Sequence, residues 1–171
     1  MKPSELRDSD LEKLQLEHQA AKLFLRCYEQ QFGIPMRHIW HNEPNMPDVS
    51  CYQGEQRLDI EVAHLYGSDK EAMAVLGRSL SLNIQRELAA MAQAPSERRL
   101  LIALERLLKQ KSLKRYHSER TWLLIRNAST LWHHDDFISI AGQLDCPSHH
   151  AFEQIWLLTD FYNPDLLRLD A

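Results

Sequence analysis

Two carboxylates carry the chemistry this chain could do. Asp48 and Glu61 stand in the stretch MPDVSCYQGEQRLDIEVAHL, residues 46–65, on either side of a single glycine. Val49 and Cys51 alternate with Asp48, Ser50 and Tyr52, and Leu58, Ile60 and Val62 alternate with Arg57, Asp59, Glu61 and Ala63. A period of two on both arms predicts a hairpin. A two-residue loop at Gly54-Glu55 puts glycine where a type II′ turn requires it. That register sets Asp48 opposite Glu61 and Ser50 opposite Asp59 on one face, with Val49, Cys51, Leu58, Ile60 and Val62 on the other. Opposed side chains lie about 4.5–5.5 Å apart at Cβ, and like charges there repel. A shared divalent cation removes the repulsion, and Mg²⁺ takes one or two carboxylates plus waters and phosphate oxygens. Such an ion lowers the pKa of a bound water and polarises a phosphoryl group, so the pair suits phosphodiester hydrolysis. The plainer reading of the same residues is a solvated hairpin face whose acids pair with Arg57 or a lysine.

The elements that must hold this hairpin follow from the rest of the chain. Residues 4–32 predict one long helix, with Leu11, Leu14, Ala21, Phe24 and Tyr28 at three- and four-residue spacing and Gly33 and Pro35 ending it. Glu17 falls on that stripe, where a boundary position would let its carboxylate reach water. Residues 36–40 predict a short strand, broken by the prolines of NEPNMP. Beyond the hairpin, residues 67–92 predict a helix in which Ser68 and Glu71 have capping-box spacing. Pro95 interrupts, and SERRLLIALERLLKQKSLKRY predicts a second, basic helix. TWLLIRN (121–127) predicts a buried strand, DDFISIAGQL a short helix and FEQIWLL (152–158) the last clear strand, with PDLLRL as an added edge. The order is α-β-β-β-α-α-β-α-β, a single α/β domain over 1–171 with a mixed central sheet flanked by helices.

Of the 171 residues, 44% are hydrophobic and 26% charged, ordinary for a globular chain. No apolar run nears the ~20 residues that span a bilayer, and the polar start MKPSELRDSD is unlike a signal peptide. A cytoplasmic location and no membrane association are expected. Cys27, Cys51 and Cys146 lack CxxC spacing and predict reduced, partly buried thiols. The net charge of −4 speaks against a strong non-specific nucleic-acid binder, but the charge is uneven. Between Ser96 and Arg126 nine Lys/Arg face three Glu, a segment at +6 that leaves −10 for the remainder. A basic face on an acidic protein is the expectation.

A helix bearing a glutamate, three strands with Pro47-Asp48 entering the second and Ile60-Glu61-Val62-Ala63 in the third, then a helix, resembles the PD-(D/E)XK nuclease-like superfamily with its restriction-endonuclease-like fold. The resemblance covers residues 10–160 in element order and is specific over the hairpin. It implies a Mg²⁺- or Mn²⁺-dependent hydrolase of DNA, with Asp48 and Glu61 as catalytic metal ligands and Glu17 as the helix acid. The chain departs from the pattern at one point: the superfamily's lysine belongs two residues after the glutamate, where this chain has Ala63. Some members take the basic group from a neighbouring helix, and Lys70, Arg78 and Lys111 are the candidates, Lys111 in the most basic helix. Lys109, Lys111, Lys114 and Arg115 are the expected nucleic-acid contacts. The alternative is a nuclease-like domain without catalysis that serves as a nucleic-acid or protein interaction module. Oligomeric state is open, a homodimer included.

Other clusters predict less. His133 to Asp136 (HHDD) reads as a polar helix start, residues 148–150 (SHH) and 41–43 (HNE) as surface loops, and His64 as a packed histidine on the face opposite Glu61. Trp40, Trp122, Trp132 and Trp156 read as core. No GxGxxG, P-loop, GxSxG or HExxH pattern occurs.

Overall fold

A computed structural model describes residues 8–42, 46–66, 96–129, 131–161 and 163–170. The elements are α1 (Asp8–Phe32), β1 (Met36–His41), β2 (Val49–Gln53), β3 (Gln56–Leu65), α2 (Ser96–Ser112), β4 (Thr121–Asn127), α3 (His134–Ile140) with a 3-10 turn at Ala141–Gln143, β5 (Gln154–Leu158) and β6 (Leu166–Arg168). The helix expected at 67–92, its capping box and the candidates Lys70 and Arg78 lie outside the described residues.

The six strands form one mixed sheet in sequence order, β1 to β6. β1, β2 and β3 are antiparallel, β3, β4 and β5 run parallel, and β6 returns antiparallel as the added edge. The parallel pairings force crossovers, and those crossovers carry α2 and α3 over the sheet. The protein is thus α/β with a mixed sheet and three described helices.

Each face of the sheet has its own core. On one, α1 lays Ala20, Ala21, Phe24, Leu25 and Tyr28 against Val49, Cys51, Leu58, Ile60, Val62, Trp122, Leu124, Trp156 and Leu158. On the other, Leu100, Ala103, Leu104, Leu107 and Leu108 of α2 pack with Phe137 and Ile140 against Ala63, Leu65, Leu123, Ile125, Ile155 and Leu157. β3 is a central strand covered on both sides, which is why it reads as an almost continuous buried run from Leu58 to Ala63.

The α1 stripe holds at Ala21, Phe24 and Tyr28, which are buried in the core, and fails at its N-terminal end. Leu11 is exposed and Leu14 half-buried, because the first turns of α1 overhang the core. Gly33 closes the helix at φ +70°, a left-handed cap suited to glycine, and its N–H donates to the Glu29 carbonyl at 2.8 Å. Trp122, Trp132 and Trp156 are buried as expected, but Trp40 is only half-buried: it packs beside Tyr52 and under the Arg57 guanidinium.

Candidate active site

The hairpin register is the predicted one: Val49 pairs with Ile60, Ser50 with Asp59 and Gln53 with Gln56, around Gly54 at φ +63°. Asp48 sits one residue before the ladder and continues it through its own polar atoms. Its carboxylate accepts the Val62 N–H at 2.9 Å, and its backbone N–H donates to Glu61 Oε1 at 3.3 Å. The two acids are therefore neighbours held by backbone.

Glu61 faces α2. The stripe Leu100, Ala103/Leu104, Leu107/Leu108 of that helix reaches Lys111 one turn later, so Lys111 falls on the sheet-facing side. Its ammonium donates to Glu61 Oε2 at 3.1 Å, with only 17% of the lysine side chain and 5% of the glutamate exposed. The Tyr116 hydroxyl donates to the same oxygen at 2.7 Å from the turn after α2. Glu17 arrives from the other face, one turn before Ala20 and Ala21. It does not extend to water as its boundary position suggested: it is 4% exposed, with Lys13 at 3.8 Å. Asp48, Glu61, Lys111 and Glu17 form one electrostatic group, each felt by at least one of the others.

Burial pushes the Asp48 carboxyl up to about 8, helped by its hydrogen bond to Glu61 and by the charges of Glu61 and Glu17. For Glu61 burial also acts upward, but the hydrogen bond with Asp48, the Lys111 charge and the Tyr116 hydroxyl outweigh it and hold the carboxylate below its usual range. The two acids are thus pushed in opposite directions, Asp48 upward and Glu61 downward, and they titrate as a pair. Burial likewise raises Glu17, against the pull of Lys13 and His41. Burial and the bond to Glu61 raise the Tyr116 phenol, so it remains a donor. The Lys111 charge, with burial, lowers Lys114.

A second acid pairing fills the same hairpin face. Asp59 is buried and accepts from the Ser50 hydroxyl, from Arg57 Nε at 3.0 Å and from Ser118 Oγ at 2.6 Å. The plainer expectation, acids neutralised by Arg57 and a lysine, is thus met at Asp59 and Glu61. What differs is the solvation, since these acids are covered.

The basic segment does not make one face. Arg126 is 6% exposed, with its guanidinium 4.5 Å from the Phe161 ring, and Arg120 is held by a two-oxygen fork to Glu153 at 2.9 and 3.0 Å. Lys109, Lys114 and Arg115 are exposed around the C-terminal end of α2, beside Lys111, although Arg115 turns back to donate to the carbonyls of Ser112 and Lys114. The basic surface next to the acids is therefore the short run 109–115.

His41 ends β1 paired to Val49 and does not lie in a loop; its Nε2 is 3.0 Å from the Leu14 carbonyl. His64 is held down at about 4 by burial and the Arg126 and Lys111 charges, which fits a packed histidine. Asp136 accepts the His133 N–H at 2.7 Å and starts α3. Tyr116 was not singled out from sequence: its only signal is an aromatic placed five residues after Lys111 in the basic run.

No family model, curated protein or solved structure matches this chain.

Among the described residues, no group of three or more His, Cys, Asp or Glu side chains is placed to hold a metal ion. Two adjacent carboxylates do fit an ion that keeps most of its ligands as water, as Mg²⁺ does.

Proposed function

We propose that the chain is a Mg²⁺- or Mn²⁺-dependent hydrolase of DNA phosphodiester bonds, a divergent relative of the PD-(D/E)XK nucleases whose strand lysine is replaced by Lys111. The observation that carries this reading is the 3.1 Å contact of the Lys111 ammonium with Glu61, made from α2 on the face where Ala63 leaves the strand without an amine. Asp48 and Glu61 would hold the ion, and Glu17 would add negative charge behind them. Bound there, the ion supplies a water of lowered pKa and polarises a phosphoryl oxygen.

The remaining work falls to side chains of the chain itself. Asp48 would have to be ionised to hold the ion, since an ionised carboxylate is the ligand form. Tyr116 and Lys111 together fix Glu61 Oε2, so the carboxylate cannot rotate. On this reading the Lys111 ammonium, held beside Glu61 in a largely buried setting, would offset the negative charge that gathers on the phosphoryl group in the transition state. Lys114 and Lys109 would meet the phosphates on either side.

Purified protein should nick supercoiled plasmid with Mg²⁺ or Mn²⁺ and not with EDTA. A folded protein that leaves plasmid intact in both metals overturns the enzyme reading and leaves the interaction module. Binding gives a separate check. Charge reversal at Lys109 and Lys114 should weaken duplex affinity at low salt by about tenfold and flatten the log–log salt dependence by about 1 per lost phosphate contact. Gel-shift titration over a salt series measures both. Affinity indifferent to salt and to these changes removes the run 109–115 from the interface.

A further inference from the structure

Beyond Tyr116 the hairpin face opens into a groove of about 890 Å³, whose lining includes Arg57, Asp59, Tyr116, His117, Glu119 and Arg120. Tyr116 is the shared wall: it lines the groove and its hydroxyl holds Glu61. The volume lies in the range that encloses a small molecule or a nucleotide.

The charges in this groove cancel. Two arginines, Arg57 and Arg120, share the lining with two acids, Asp59 and Glu119; Arg57 is bonded to Asp59, and Arg120 is occupied by Glu153, Gln53 and Gln56. It is therefore a poor track for phosphates, which the run 109–115 serves better. What it does offer is the Arg57 guanidinium, a planar lining group backed by Trp40, which packs behind Arg57 and is not itself in the lining. The Arg57 guanidinium lies 5.4 Å from the centroid of the Trp40 ring, and the Tyr52 ring is 5.7 Å from Trp40. Arg57 remains 48% exposed and Tyr52 38% exposed. A guanidinium backed by an aromatic ring and held by hydrogen bonds to Asp59 and Ser50 presents a flat face to the groove it lines. Guanidinium planes and aromatic rings are the surfaces on which unpaired bases stack.

We propose that this groove takes an unpaired nucleobase of the substrate strand, stacked on the Arg57–Trp40 platform, while the adjoining phosphate lies at Lys111 and Lys114. The preferred substrate is then single-stranded or locally unpaired nucleic acid. The inference rests on the nuclease reading for its polymer and on Trp40, Tyr52 and Arg57 for the base.

The test is fluorescence anisotropy with a labelled 15-nucleotide single strand and with the same sequence as a blunt duplex, in EDTA so that no cleavage intervenes. Wild type should bind the single strand more tightly. Trp40→Ala should lower single-strand affinity about tenfold, within the range of one lost base stack, and leave duplex affinity unchanged. Trp40→Phe should recover most of the loss, which separates stacking from a folding defect. Equal affinity for both forms, or equal loss on both with Trp40→Ala, overturns the proposal. The two readings fail separately. Trp40-dependent single-strand binding without plasmid nicking upholds the groove and sinks catalysis. Metal-dependent nicking with no Trp40 effect on binding does the reverse.

Discussion

Lys111→Ala should lower Mg²⁺-dependent nicking by about 10²–10³-fold, the usual worth of one preorganised charge at a reacting centre. Adding Ala63→Lys to that variant should return part of the rate. Residue 63 shares its strand face with Glu61, two positions along, and Ala63 is packed in the same core as Leu107 and Leu108, the turn of α2 just before Lys111. Exchanging alanine and lysine between positions 63 and 111 therefore keeps the local volume nearly constant, the condition under which cores accept change. Ala63→Lys alone has no such vacancy. It forces a second lysine into a filled core and should cost stability without gain in rate.

The double variant also guards against a trivial result. Removing Lys111 leaves Glu61, at 4% exposure, without its cation, and breaking such a pair commonly costs about 3–5 kcal/mol. A lost rate could then mean a lost fold. Nicking assays on wild type, the two single variants and the double variant should be run below each protein's measured unfolding transition. Rate recovery in the double variant identifies the amine as the missing part. Recovery of melting temperature without rate assigns Lys111 a purely structural part. No cleavage by any of the four, all folded, discards the enzyme.

Much of this site was legible because strand and helix periods fix direction. Alternation from Asp48 to Ala63 predicts the observed register and makes neighbours of Asp48 and Glu61, just beyond the last ladder pair, and glycine at position 54 fits the turn. Lys111 stood out by its place in the most basic helix, and the buried stripe Leu100, Leu104, Leu108 explains why it reaches Glu61, since one more turn of the same face ends there. Burial was less legible. Alternating acids on β3 predict a wet face, yet β3 is central, and what lies over it depends on the α2 crossover and the 116–120 turn. Tyr116 and Ser118 reach Glu61 and Asp59 across 55 and 59 residues, through a turn without periodicity. Trp40 looked like core for the opposite reason: a bulge between Arg37 and Trp40 shifts the register of β1 and puts the ring beside Tyr52 and Arg57.

The acid pair should bind a divalent ion in competition with its own proton. Asp48 retains that proton up to about pH 8, because burial and the neighbouring charges of Glu61 and Glu17 oppose ionisation. Loading an ion releases it. Apparent Mg²⁺ affinity should therefore climb about tenfold per pH unit from pH 6 to 8, about 100-fold in all, and level off above 8. Without metal the sign is reversed for stability. A carboxyl raised in the folded state binds more protons folded than unfolded, so its contribution is present below the ordinary carboxylate range and is lost as pH rises through about 8. Glu61, held below its usual range, contributes in the other direction only at acid pH, where its contribution is lost as pH falls. Melting temperature in EDTA should thus decline between pH 6 and 9 for wild type, while Asp48→Asn, which cannot ionise, should escape that decline and exceed wild type at pH 9 by about 3 °C or more, the equivalent of about 1 kcal/mol for a chain of this size. Millimolar Mg²⁺ or Mn²⁺ should then lift wild type at pH 8 and leave Asp48→Asn unmoved. Thermal scans across pH, with and without metal, read all four effects. Equal stabilisation of both proteins by metal would place the ion elsewhere, and parallel pH profiles in EDTA would show that Asp48 does not carry the shared proton.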